Sequence, residues 1–432
     1  MSLSGVRVLV DAYNIQLPKG TGIKTYGLSL LRALDRLGAQ TGLLYSRTSG
    51  TYEDDYLTEL AFVEAAGVKS RWSERARIAY YVARGLLGGG LRSRPVPVSD
   101  LVLDHPVPPE AREVLNARYC YHLASRTFRS LGRGLTVETP RGFDVFHLTY
   151  PLAMQVKGAR MITTIHDLVP MRLPQTTLDD KVEIFRRHQH VVKHSDLIVT
   201  VSEASKADIV KYLRVDPERV AVTYQPIALR PETDVTPDDL AARLAPYKLA
   251  PGNYVLFVGA IEPKKNVRSL INAYMQIDTD MPLVIVGKKA WMWEEQIGDL
   301  DTRYGAGMCR RRLRFLDHVR DFELPTLYRG ARCFAFPSLY EGFGLPVLEA
   351  MASGIPVVTS STSSLPEVGG DAALYADPYD VAALRRHLET LIGDDAVHAQ
   401  RSRRSREQAE RFSMENYLGR LSAAYGRAMA RG

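Results

Sequence analysis

Cysteine is scarce in this chain: Cys120, Cys309 and Cys333 are the only three among 432 residues. Thiols so widely spaced build neither a disulfide framework nor a metal cluster, and they predict reduced, structural cysteines in a cytosolic protein. Long apolar runs are lacking too, and none reaches the length needed to span a bilayer. The opening MSLSGVRVLVDAYN runs straight into a strand-like segment, which argues against a secretory signal. Low-complexity tracts are absent, which excludes a fibrous or disordered chain. Neither charge sign dominates: 56 Lys and Arg against 49 Asp and Glu leave +7. So small an excess favours anionic partners, whether phosphates, nucleic acid or an acidic lipid surface, without choosing among them.

What remains is the composition of a soluble globular protein, 45% hydrophobic and 24% charged. The length exceeds one ordinary core, so two domains are expected. Short strands rich in Val, Ile and Leu alternate with helix-length stretches. In the first half they fall at 6–12, 42–46, 143–150, 160–167, 196–202 and 219–224. In the second half they fall at 254–261, 282–287, 313–317, 332–338 and 355–360. Nearly continuous apolar strands belong to parallel sheets covered on both faces. The polar, proline-bearing stretch 228–252 reads as an interdomain linker. The expected fold is α/β, two doubly wound domains facing across a cleft, with ligands beyond the carboxyl ends of the strands.

Residues 68–135 break the alternation. Basic segments there are interleaved with Trp72, Tyr80, Tyr81 and Phe128. Such a pattern reads either as an amphipathic helix lying on an anionic membrane or as a solvated helix packed by its aromatic stripe.

Chemistry-bearing stretches follow several strands. QLPKGTGIKTYGLSL (16–30) lets backbone approach a ligand and opens a helix, so it is either a tight turn or an anion site. It is no P-loop, because Ile23 separates Gly22 from Lys24, and Thr25 spoils a dinucleotide fingerprint. TTIHDLVP (163–170) ends a strand in His166 and Asp167, which serve either as acid, base or donor, or simply stabilise a turn. In GAIEPKKNVRSLINAY (259–274), Lys264 and Lys265 precede a helix beginning near Asn266. Cations gain nothing from the dipole there, so they are either solvated or await an anion. His188, His190 and His194 share a probable helix, but no cysteine or acidic partner completes a metal set.

YEGFGLPVLEAMASGIPVV (340–358) places Glu341 and Glu349 around a bend. Pro346 suits a helix start, so Leu345 and its successors would offer free N–H groups to a diphosphate. Carboxylates beside a phosphate seat are suited to accept hydrogen bonds from hydroxyls, as sugars supply. The bland alternative has Glu349 merely capping or solvating its helix.

These residues resemble those of retaining glycosyltransferases of the GT-B fold, specifically family 4 (glycosyl transferases group 1). The resemblance covers most of the chain, strongest over 254–380 and weakest over 50–140. Glu341 and Glu349 match that family's E-x7-E signature, with the AMASGIPVVTS run after it. GAIEPKKNV looks like the donor-phosphate motif, and VSEASKADI (201–209) like the Ser-Glu-x-Ser-Lys segment. The glycine loop GTGIKTY departs from the commoner double-glycine form by Thr21.

The resemblance implies a domain layout and a set of roles. Residues 1–230 would form an acceptor-side Rossmann-like domain with an insertion at 68–135. Residues 250–405 would bind the nucleotide sugar, and 406–432 would form a C-terminal helix packing back on the first domain. Lys265, helped by Lys264, would neutralise the donor diphosphate as leaving group. Glu349 would hold the ribose, while Glu341 with Gly342, Phe343, Gly344 and Leu345 would hold the hexose. His166 would meet the transferred sugar, Gly20 and Gly22 would close the cleft, and backbone near His318 and Val319 would meet the base. No cofactor or metal is implied, and no Asp-x-Asp metal motif stands in a convincing strand context.

Transfer would occur on one face of the sugar, with the leaving phosphate taking the acceptor proton. GDP-mannose is the first donor candidate, on the Glu-Pro-Lys-Lys-Asn form seen in mannosyltransferases of that family; a UDP-sugar is the second. The acceptor would be a glycan or polyprenyl-diphosphate-linked saccharide in cell-surface polysaccharide synthesis. The enzyme would work in the cytoplasm, with an anionic membrane surface as a further partner. An epimerase, a phosphorylase or a nucleotide-sugar-binding module are the competing classes. Nucleic acid is disfavoured, since the charge excess is small and stacking motifs are lacking.

Overall fold

The computed structural model describes residues 2–17, 22–64, 90–102, 105–227, 235–317 and 319–430. The first half builds an eight-stranded sheet. Its spatial order is Val220–Val222, Leu197–Thr200, Arg160–Thr164, Val145–Leu148, Arg7–Asp11, Gln40–Tyr45, Glu113–Asn116 and Arg94–Pro95. Every pairing is parallel except the last, which is antiparallel at the edge. The second half builds a six-stranded parallel sheet. Its order is Leu313–Leu316, Leu283–Val286, Val255–Val258, Cys333–Phe336, Val357–Ser360 and Leu374–Ala376. Its inner strands are apolar throughout because helices cover both faces, leaving Leu283 to Ile285 and Cys333 to Phe336 without exposed surface.

All eleven strands expected from the sequence form. Those missed are short or unusual. Glu113–Asn116 lies inside the stretch read as a basic insertion, yet extends the first main sheet. Leu91–Arg92, Leu135–Glu138 and Met154–Val156 make a small third sheet. The linker reading of 228–252 also needs correction, since 235–252 carries a helix, Pro237–Leu244, and a tight turn, Ala245–Tyr247. Thr236 caps that helix by accepting from Asp239 N–H (3.1 Å) with Pro237 in the first turn. Polar residues there are start signals, and Leu240 and Leu244 enter the core.

Within the basic stretch 68–135, the second aromatic-bearing segment is packed inward. Helix Cys120–Leu131 buries Tyr121, Leu123, Ala124 and Phe128 along one stripe, and the Phe128 ring lies 5.1 Å from that of His190. Trp72, Tyr80 and Tyr81 lie outside the described residues. Among the described residues no helix is long and apolar enough to cross a membrane. Cys120, Cys309 and Cys333 are free and buried, and burial pushes the thiols of Cys120 and Cys333 up to about 12.

The last helix, Met414–Ala430, packs on helix Gly22–Arg36 and on strands Arg160–Thr164 and Leu197–Thr200. Its buried stripe of Tyr417, Leu421, Ala424, Tyr425 and Ala428 follows helical spacing. The chain therefore returns to the first sheet after completing the second.

Candidate active site

Strand Val255–Val258 is followed by the turn Pro263–Lys265 and then Asn266, whose φ of 56° is left-handed. The Asn266 amide donates to Pro337 O (3.1 Å) and Pro378 O (2.7 Å), which fixes the turn against the next strand's end. Lys264 and Lys265 thereby face the bend after strand Cys333–Phe336. Lys265 Nζ lies 2.6 Å from Glu341 Oε1 and Lys264 Nζ 3.9 Å from Glu341 Oε2. The Ser338 hydroxyl sits 2.5 Å from Glu341 Oε1. Burial works to raise the Glu341 carboxyl, but the ammonium groups of Lys265 and Lys264 outweigh it and hold it below its ordinary value. Attraction to Glu341 also lifts Lys264. Separate duties for the lysines and Glu341 were expected from sequence; the structure joins them in one ion cluster.

The bend itself is braced from the loop after strand Val357–Ser360. Glu341 N–H donates to Ser363 Oγ (2.9 Å), and Ser364 Oγ lies within bonding distance of both Glu341 O (3.0 Å) and Phe343 O (2.7 Å). Gly344 adopts φ 103°, open to glycine at no cost, and the helix Leu345–Ala352 follows. Pro346 is second rather than first in that helix. Among the described residues the N–H groups of Gly342 to Leu345 donate to no other backbone group. Phe343 contributes backbone only, since its ring is buried against Phe412 at 5.6 Å.

Glu349 stands apart from this cluster. Its Oε2 accepts from the Tyr328 hydroxyl (3.0 Å), and burial raises its carboxyl to about 7 despite that bond. The charge of Asp321 adds to the rise, and Val319 is half-buried against the core. His318 and Gly20 lie outside the described residues; Gly22 begins its helix as expected.

The two halves meet at Gly342. A Cβ there would stand 2.9 Å from Asp167 Cβ and from His166 O, so only glycine permits the approach. Ser202 Oγ donates to Gly342 O (2.6 Å), and Ser205 Oγ reaches both Gly342 O (3.1 Å) and His166 O (2.9 Å). Glu367 accepts from Glu203 and Ala204 N–H (2.8 and 2.7 Å), capping helix Glu203–Leu213 from the opposite half. The VSEASKADI stretch is thus the fastening between the two halves. Asp167 takes the turn role, accepting from Val169 N–H at 2.9 Å. His166 Nε2 donates to Thr149 O (3.0 Å), and the ring meets Tyr26 edge-on at 4.8 Å. Burial holds its imidazole below the usual histidine range, so the neutral ring keeps Nδ1 as an acceptor.

Ser338, Ser363, Ser364 and Tyr328 were not foreseen, since isolated hydroxyls carry no spacing signal. His188 and His194 donate back to their own helix at 2.7 Å, and the rings of His190 and His194 lie 4.1 Å apart. Among the described residues no group of three or more His, Cys, Asp or Glu is placed to hold a metal.

Two doubly wound domains joined at such a bend are the architecture of the GT-B fold. The model of glycosyl transferases group 1 matches residues 247–411, and that of glycosyltransferase family 4 matches 20–230. The chain is 37% identical over 278 residues to an O-antigen chain mannosyltransferase B of Escherichia coli, covering 62% of this chain and 70% of that one. It is 30% identical over 266 residues to the serotype-specific mannosyltransferase WbdA of Escherichia coli, covering 60% of this chain but 32% of that one. The chain therefore spans about a third of the second relative. Anabaena HepE, solved in complex with UDP and glucose, superposes with a TM-score of 0.65 at 16% identity, covering 98% of this chain and 99% of that one. At that identity the likeness shows the fold. The chain belongs to glycosyltransferase family 4.

Proposed function

We propose that the protein moves a hexose, with retention of configuration, from a nucleotide sugar to a glycan or polyprenyl-diphosphate-linked saccharide in O-antigen-type polysaccharide synthesis. One observation carries the reading: the paired lysines on Glu341 beside free N–H groups at the bend, pressed against His166. A diphosphate laid on those N–H groups competes with Glu341 for the ammonium groups. The freed carboxylate then accepts from hexose hydroxyls, Glu349 from ribose hydroxyls, and His166 Nδ1 from a hydroxyl of the transferred sugar. The acceptor oxygen bonds to the anomeric carbon as the bond to phosphate breaks, and the departing phosphate oxygen takes the acceptor proton. Lys264 and Lys265 supply the charge that a metal ion would otherwise supply, so the reaction is proposed to need no metal.

GDP-mannose is the proposed donor, in line with the mannosyltransferase relatives. A UDP-sugar is the second reading, in line with the ligands of HepE. Nucleotide sugars and a lipid-linked acceptor fit an enzyme of the cytoplasm working at the membrane's inner face. Thermal unfolding with GDP-mannose and UDP-glucose, each with EDTA, separates the readings. At a hundredfold excess over Kd the true donor stabilises by about 2.7 kcal/mol. No shift with either sugar, or a shift abolished by EDTA, counts against the proposal. Proton NMR of the product's anomeric signal tests retention.

A further inference from the structure

The carboxyl edge of the first sheet carries a second basic feature, away from the lysines and Glu341. A cavity of about 320 Å³ opens beyond strands Gln40–Tyr45 and Glu113–Asn116, lined by Ser49, Thr51, Arg92, Arg94, Asn116 and Arg118 among others. Its floor is rigid: the buried Asn116 amide donates to Arg47 O (3.0 Å) and to Ser49 Oγ (2.9 Å). Arg92 pairs with Glu138 at 3.2 Å, but Glu138 is shared with Lys157, also at 3.2 Å. Among the described residues Arg94 and Arg118 make no side-chain ion pair or hydrogen bond, and no carboxylate lines the cavity. The unpaired guanidinium groups of Arg94 and Arg118 leave positive charge at the cavity for an anion to join. Guanidinium forks fit phosphate oxygens two at a time.

The cavity's place sets the ligand's length. Strand Glu113–Asn116 is four strands from Arg160–Thr164, which leads to His166. At about 4.8 Å per strand the separation is roughly 20 Å. A phosphate carried on the accepting sugar itself cannot bridge that span.

We propose that this cavity binds a phosphate-bearing group of an extended acceptor, whose accepting hydroxyl lies at His166. The inference rests on the glycosyltransferase reading with the acceptor on the first domain. The phosphate belongs either to a lipid diphosphate at the far end of the glycan or to the glycan itself.

The test is calorimetric titration of the full chain with inorganic pyrophosphate, after the donor site has been filled with GDP or UDP. Wild type is expected to take one further pyrophosphate. Arg94→Ala with Arg118→Ala should weaken it at least about tenfold, while nucleotide affinity and thermal unfolding hold. Absence of the extra pyrophosphate, or equal binding by the double variant, overturns the proposal. Failure of the nucleotide itself to bind counts against the donor reading alone; comparing the two proteins still decides the cavity, since its arginines belong to the other domain. Farnesyl diphosphate outcompeting pyrophosphate assigns the phosphate to a prenyl lipid. Glucose 1-phosphate outcompeting it assigns the phosphate to the glycan.

Discussion

Lys265 and Glu349 do different work, and single substitutions should separate them. Lys265→Ala removes a charge that the proposed reaction sets against the diphosphate. Transfer should fall at least about tenfold, or ~1.4 kcal/mol of transition-state stabilisation; a folded variant with the wild-type rate argues against the site. Glu349 has a carboxyl raised from 4.5 to about 7. The folded state therefore holds a proton that the unfolded chain releases between those values, and stability contributed there is lost as pH rises through 7. Glu349→Gln keeps an acceptor for Tyr328 without the buried charge. The variant should be more stable than wild type at pH 8 by roughly 1–3 kcal/mol and about equal at pH 5, yet bind donor more weakly. Denaturant unfolding at both pH values checks the sign. The positions of both residues were legible in the sequence. Their partners were not, because Lys265 and Glu341 meet across 76 intervening steps of chain and Tyr328 has no motif.

At the scale of elements, the bend 340–345 joins a strand end to a helix start and touches the other half of the molecule. Gly342 is the tight point, with His166 O and Asp167 2.9 Å from where a Cβ would sit. Gly342→Ala should push the two halves apart and reduce transfer at least about tenfold, with donor binding less affected than kcat. Small-angle scattering should report a wider particle; an unchanged profile with full activity would reject the contact as a functional one. Sequence patterning found the inner strands because burial on both faces leaves an unbroken apolar run. It missed Glu113–Asn116 because four residues between polar flanks give no period to read. It took helix Pro237–Leu244 for linker because a cap and first turn are themselves polar.

Over the whole molecule, the returning helix Met414–Ala430 plants Tyr425 in the first domain's interior. Its hydroxyl lies 2.7 Å from His147 Nδ1, His147 Nε2 is 2.8 Å from Thr164 Oγ1, and Thr164 Oγ1 is 2.8 Å from the Tyr26 hydroxyl. Tyr26 in turn abuts His166. Burial lowers the His147 imidazole to about 3, so the ring is neutral and needs both partners. Tyr425→Phe leaves Nδ1 buried and unpaired, which should cost about 1–3 kcal/mol. Urea unfolding should register that loss, and a change within error would show that the link contributes nothing to docking the helix.

The sequence by itself determined which segments became inner strands, that two such series follow one another, and which glycine-rich bend carries the two glutamates. These are properties of local composition and period, set by how each segment is buried. Only the tertiary structure decided that Glu341 belongs to the lysines while Glu349 belongs to Tyr328. It also decided that Gly342 is a glycine on account of the opposite domain, and that a basic stretch between motifs holds a sheet strand and an arginine-lined cavity. Contacts between residues far apart in the chain depend on the packing of one domain on another, and no local pattern encodes that.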